Sequence, residues 1–244
     1  MFKVSRIGTC VKSLVAALAA TAAISFAAPA NALQLLSATM DTSNTANISG
    51  PGLNENAYIG PITFTATDGG PAFNFLAYCV DLYHNMFLGP LNGGAGYAYH
   101  EEDLLTDSKT NTPVMQNGTA LTQAQINKIS SLVNFGAYLQ ETGASDLSHK
   151  LAGVQGAIWK VENPLFTITA SGAVQGYITA YAAGAAGPGM PVGMMHTIFA
   201  NDFGHQAFAF AGGVPEPATW LMMIMGFGGI GAALRRRRAG AVFA

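Results

Sequence analysis

Between Leu33 and Val214 the chain has no arginine, only four lysines (Lys109, Lys128, Lys150, Lys160) and one cysteine. Against those lysines stand twelve acids, so this 182-residue stretch carries a formal net charge of −8. Binding to phosphate backbones needs clustered Lys or Arg, and a nucleic-acid partner is therefore excluded. The five histidines (His84, His100, His149, His196, His205) lack metal spacing such as H-x-x-x-H, and no metal or cofactor is expected. There is no G-x-S-x-G element and no glycine-rich phosphate loop followed by Lys. Turnover chemistry is accordingly not expected. Glu101, Glu102, Asp103 and Asp107 read either as a cation site or as a solvated loop, the ordinary fate of a charge run.

What the middle lacks is concentrated at the ends. The whole chain is only −2, because seven of its eleven basic residues lie outside that stretch. Lys3, Arg6 and Lys12 form a basic n-region, Ser13 to Ala28 an apolar h-region, and Ala30-Asn31-Ala32 a small-x-small cleavage site. The spacing predicts a signal peptide over 1–32 and a mature chain starting at Leu33. An uncleaved anchor is the alternative, but the apolar stretch is shorter than the ~20 residues a span needs. At the other end, Pro215-Glu216-Pro217 cannot continue a helix or strand and predicts an extended, accessible linker. Trp220 follows, then an apolar run from Ala218 to Leu234, then Arg235, Arg236, Arg237 and Arg238. That run, 17 residues, is a short transmembrane helix that spans with slight mismatch. Four arginines resist translocation and keep the tail cytoplasmic.

This layout resembles the PEP-CTERM sorting signal, in the variant with Trp three residues after the second Pro. Leu221 stands where that variant usually has Ala. The resemblance implies a bacterial protein exported through its signal peptide. It would reside transiently in the inner membrane and periplasm, be processed by an exosortase, and end at the cell surface or outside. The chain thus divides into 1–32, a secreted domain over 33–213, and a sorting segment over 214–244.

Within the domain, Leu33 to Asn47 reads as one or two strands. Ala57 to Thr67 reads as a strand with Pro61 at an edge or bulge. Phe73 to Leu82 reads as a central strand, with Phe73, Phe75, Ala77 and Cys79 on one face and Leu76, Tyr78 and Val80 on the other. Gly89 to Tyr99 is glycine-rich and aromatic, a loop. Thr122 with Gln125 at capping-box spacing opens a helix. A second follows Gly143–Ser145, capped by Ser145 or Asp146, and runs to about Glu162, where Pro164 stops it. Leu165 to Ala170 is a short β-rich run, Gly184 to Gly193 a Gly/Pro loop, and Gln206 to Ala211 a final strand. The expected fold class is α+β, a mainly antiparallel β framework with two central α-helices.

Two features of the domain stand out chemically. Cys10 is lost with the signal peptide, which leaves Cys79 as a lone thiol in an oxidising exterior. Gln155 lies on the apolar face of the second helix, four residues after Leu151 and four before Trp159. A buried amide must be hydrogen-bonded or it costs ~1–3 kcal/mol. Tyr78-Cys79-Val80 in a strand, Val154-Gln155-Gly156-Ala157-Ile158-Trp159 in a helix and Gln206 before a terminal Phe resemble the bacterial thioester (TQXA) domains of Gram-positive surface adhesins. Val154 stands where that family has Thr. The resemblance implies an internal thioester between Cys79 and Gln206, supported by Gln155, Trp159 and Tyr78. It implies covalent adhesion to a surface or matrix ligand offering amines, hydroxyls or glycans. On the residues alone, Cys79 and Gln155 are equally readable as core groups of a non-reactive matrix or biofilm component. A secreted hydrolase using Cys79 with a nearby His and Asp is a third reading. Asp81, two residues on along the same strand face, would raise a thiol pKa.

Overall fold

The computed structural model describes residues 32–104, 120–184, 194–202 and 204–212. Both terminal targeting segments, including the expected transmembrane helix and every residue of the sorting segment, lie outside the described residues. So do Asp107 and most of the Gly184–Gly193 loop.

Ten strands and three helices are present among the described residues. In chain order they are β1 (Leu33–Met40), β2 (Thr45–Gly50), β3 (Leu53–Tyr58), β4 (Ile62–Thr67), β5 (Phe73–Cys79), β6 (Gly89–Pro90), β7 (Tyr97–Glu101), α1 (Gln123–Glu141), α2 (Leu147–Glu162), β8 (Thr167–Ala170), α3 (Gly172–Ala182), β9 (Met195–Ala200) and β10 (Phe208–Ala211). A single 3₁₀ turn, Leu91–Gly94, lies between β6 and β7.

The expected α+β class, a mainly antiparallel β framework with two central α-helices, is corrected: the described residues form a closed β-barrel, a second sheet and three helices. Strands pair in the order β4-β5-β10-β9-β7-β1, and β1 pairs back onto β4, so six antiparallel strands close into a barrel. Closure removes the exposed edges that an open sheet would leave. A register shift between Leu35 and Ser37 lets β1 bend as it passes from β7 to β4. The short β6 adds to the far half of β1. Strands β3, β2 and β8 form a second antiparallel sheet.

The third helix, α3, was not expected, because Gly172–Ala182 carries no charge and several β-branched residues. It has no polar face to set against its buried Val174, Ile178 and Tyr181. The expected single strand over Ala57–Thr67 is interrupted at Ile59–Pro61, where Pro61 has no N–H to give a ladder. Part of the expected Gly89–Tyr99 loop is β6, the 3₁₀ turn and the start of β7. Strand β9 has no alternation to read: its last four residues are all buried.

Other expectations hold. Thr122 Oγ1 accepts from the Gln125 N–H and the Gln125 side chain accepts from the Thr122 N–H, a complete capping box. The same Gln125 amide donates to the Val161 carbonyl at 2.9 Å, tying the start of α1 to the end of α2. Asp146 occupies the cap position of α2 but does not cap it. Its φ is +57°, and its carboxylate meets His149 and the Tyr177 hydroxyl instead.

Two cores result. Inward-facing Leu35, Phe64, Ala77, Cys79, Tyr99 and Phe208 fill the barrel, and the cluster runs on under the small sheet. Outward-facing Tyr78, Val80, Phe199 and Ala209 meet the helices. Gly153 and Gly156 let α2 approach α3: a Cβ at Gly153 would fall into Tyr177, and one at Gly156 would stand 2.6 Å from the Ile178 side chain.

Candidate functional site around Cys79

Strand β5 lies between β4 and β10 with both faces packed, as its two-sided apolar pattern predicted. Antiparallel pairing sets Phe208 opposite Cys79 and Ala209 opposite Tyr78, and the Val80 N–H donates to the Ala207 carbonyl. The same register carried one step further sets Gln206 opposite Asp81. The pleat then places Cys79, Asp81, Gln206 and Phe208 on one face, with Gln206 on the diagonal from Cys79 that long side chains span.

The hydrogen bonds fit that placement. Cys79 Sγ donates to the Asp81 carbonyl oxygen at 2.9 Å, and Gln206 Nε2 donates to the same oxygen at 3.3 Å. Sulfur and carboxamide nitrogen therefore cannot be farther apart than the sum of those two distances. The Gln206 backbone carbonyl in turn accepts from the Tyr99 hydroxyl at 2.9 Å, which fixes the residue at the mouth of β10.

From the helix side, Gln155 grips the backbone of Cys79. Its Oε1 accepts from the Cys79 N–H and its Nε2 donates to the Cys79 carbonyl, both at 2.9 Å. Gln155 is 1% exposed, so these two bonds are what its burial requires. The ladder between β4 and β5 reaches only Ala77, two residues short of Cys79.

Cys79, Gln155, Trp159 and Gln206 line one cavity of about 570 Å³. Its rim carries the exposed side chains of Tyr58, Phe87 and Leu88. Glu55 is the one formally charged residue among those lining it. Tyr78 is not part of this wall. It points to the opposite face of β5, where a Cβ at Gly136 of α1 would overlap its hydroxyl.

The electrostatics disfavour a thiolate. Burial pushes the Cys79 thiol well above its ordinary value, the Asp81 carboxylate adds to that, and the Trp159 indole opposes it. Asp81 is fully buried and accepts from the Tyr83 N–H, the His84 N–H and the His84 ring, the last at 2.7 Å. That bond raises the His84 pKa. Since the His84 ring is bonded to the Asp81 carboxylate while the thiol is bonded to the Asp81 carbonyl, no Cys–His pair is formed here. One group was missed by sequence reasoning. Glu162, at the end of α2, is fully buried with neither carboxylate oxygen hydrogen-bonded, and burial followed by Asp81 raises its pKa well above the usual range. Its spacing of seven from Gln155, two helical turns on the apolar face, was the available signal.

Among the described residues no three His, Cys, Asp or Glu side chains are gathered to hold a metal ion. Nor is any helix among them long and apolar enough to cross a membrane.

Comparison with known proteins adds an address. Residues 213–238 match the PEP-CTERM protein-sorting motif. The chain is thus an exported protein that an exosortase processes and that ends at the cell surface or outside. No curated protein matches the sequence. Among solved structures, the N-terminal domain of the Streptococcus pyogenes pilus tip adhesin Cpa is similar over 75% of this chain and 99% of that one, at 14% identity and a TM-score of 0.42. A likeness that low carries no argument about function.

Proposed function

We propose that this surface-sorted protein attaches covalently to its target through an internal thioester between Cys79 and Gln206. One observation carries the reading: thiol and carboxamide donate to a single carbonyl oxygen, that of Asp81, on the wall of an open cavity. Holding the two groups together replaces a bimolecular encounter by an intramolecular one. In the bond-forming step Cys79 sulfur attacks the Gln206 Cδ, the C–N bond breaks, and the amide nitrogen leaves as ammonia with the thiol proton. The product is an acyl-thioester, a far better acyl donor than the amide. An amine or hydroxyl of the target, entering past Tyr58 and Phe87, takes the acyl group and returns the thiol to Cys79. This is one acyl transfer per molecule and not turnover.

Gln155 holds the Cys79 backbone and is not the acyl partner, because both of its polar atoms are already committed. The raised thiol pKa favours a second reading, in which Cys79 is an inert core group of a matrix component. Intact mass spectrometry separates the two. The thioester lowers the mass of the processed chain by one ammonia, and methylamine then labels Gln206; Cys79→Ala abolishes both effects. A mass equal to the plain sequence, with Cys79 open to alkylation after unfolding, would leave only the second reading.

A further inference from the structure

We propose that the indole N–H of Trp159 is the hydrogen-bond donor that stabilises the oxyanion on the Gln206 acyl carbon, both when the thioester forms and when it is discharged. This rests on the Cys79–Gln206 reading above.

Five buried side-chain polar atoms have no partner among the described residues: Tyr78 Oη, Trp159 Nε1, both Glu162 oxygens and Asn163 Nδ2. Of the residues that own them, only Trp159 lines the Cys79 cavity. It sits one helical turn beyond Gln155, on the same face of α2 that grips Cys79, and it is 4% exposed. Tyr78 is on the far side of the strand, where its hydroxyl packs against α1. A buried donor without an acceptor is unfavourable in the resting fold and becomes favourable once an acceptor arrives.

The acceptor it awaits is an oxygen that gains charge. When Cys79 sulfur bonds to Gln206 Cδ, the carbonyl π pair moves onto oxygen and a tetrahedral oxyanion results. Collapse re-forms the carbonyl and expels ammonia. Discharge repeats the pattern: an amine nitrogen bonds to the same carbon, oxygen again carries the charge, and the thiol leaves with the amine proton. Trp159 donates to that oxygen in each case and is not consumed. A fixed, buried donor acts without reorganising solvent.

The test uses the full-length chain, with methylamine and hydroxylamine as probes. Rates of incorporation at residue 206 are followed by mass spectrometry in the native protein and in Trp159→Phe. A third sample carries benzothienylalanine at position 159, an isostere of tryptophan with no N–H. Both substitutions are expected to slow incorporation by about 10²–10³-fold, the loss usual for one such donor. The factor should be the same for both amines, because the donor acts on the acyl oxygen whatever attacks. Melting temperature and circular dichroism report whether each variant is folded; if the phenylalanine variant is not, the isostere decides. Incorporation at the native rate in a folded variant overturns the role of Trp159 and leaves the thioester standing. A factor that differs between the two amines makes Trp159 part of the acceptor site and also overturns it. A native protein that neither lacks an ammonia nor takes up methylamine removes the thioester, and this role with it.

Discussion

Replacing Gln155 by Leu tests whether the α2 face holds the end of β5. The substitution keeps approximate volume and removes both bonds to residue 79, each 2.9 Å long. It leaves a buried N–H and a buried carbonyl unpartnered, at about 1–3 kcal/mol each, so the gross loss is about 2–6 kcal/mol. Added apolar burial returns about 1–2 kcal/mol, so the mid-range net loss is about 2.5 kcal/mol. That is a large share of the ~5–15 kcal/mol that holds an ordinary domain together. The measurement belongs in a Cys79→Ala background, where no crosslink can contribute. The two bonds survive there because they run to the backbone. Urea unfolding followed by far-UV circular dichroism should show a lower midpoint at unchanged slope. The melting temperature should fall by about 5–10 °C. A double variant within about 0.5 kcal/mol of Cys79→Ala alone would refute the reasoning and reduce Gln155 to a tolerated passenger.

Four further outcomes are expected. Glu162→Gln should stabilise the fold near neutral pH and leave it unchanged near pH 4. The folded-state pKa of Glu162 is raised, so native stability is complete below the unfolded value of 4.5 and declines as pH rises toward the folded one, by up to about 1.4 kcal/mol per pH unit. Denaturant midpoints at several pH values check it, and equal slopes for both proteins would contradict it. Gly153→Ala should lose about 1–2 kcal/mol, because overlap with Tyr177 outweighs the ~1 kcal/mol gained in helix propensity; a more stable variant by thermal melting would contradict the close approach of α2 to α3. Thr122→Ala should lose about 1 kcal/mol through the capping box, measurable by the same melts. Deleting residues 214–244 should move the domain out of the membrane fraction, and its retention there on cell fractionation would contradict the sorting assignment.

How much of this was legible in the sequence follows from which forces are local. The capping box, the two-faced pattern of β5 and the amide of Gln155 on an apolar stripe are short-range signals, and each appears in the fold as read. Barrel closure is not short-range. It depends on β1 meeting both β4 and β7, two strands that lie on either side of β5 in sequence, and on a bulge that no residue type at Leu35–Ser37 announces. Helix α3 was hidden because periodicity needs contrast, and a segment without charge offers none. The site shows the same division. Cys79, Gln155 and Gln206 could be picked out as residues that needed explaining, yet what joins Cys79 to Gln206 is the carbonyl oxygen of Asp81, a backbone atom that every residue possesses. Only the register between β5 and β10 gives that atom its place. Tyr78 was grouped with them through the Tyr78-Cys79-Val80 motif of the resemblance, but the pleat of a strand sends adjacent side chains to opposite faces. Trp159, four residues from Gln155, shares its face because a helix turns every 3.6 residues. The positions that one could assign to the cavity from sequence are thus those whose spacing matched the element carrying them; proximity along the chain was a poor guide, and the period of the backbone was a good one.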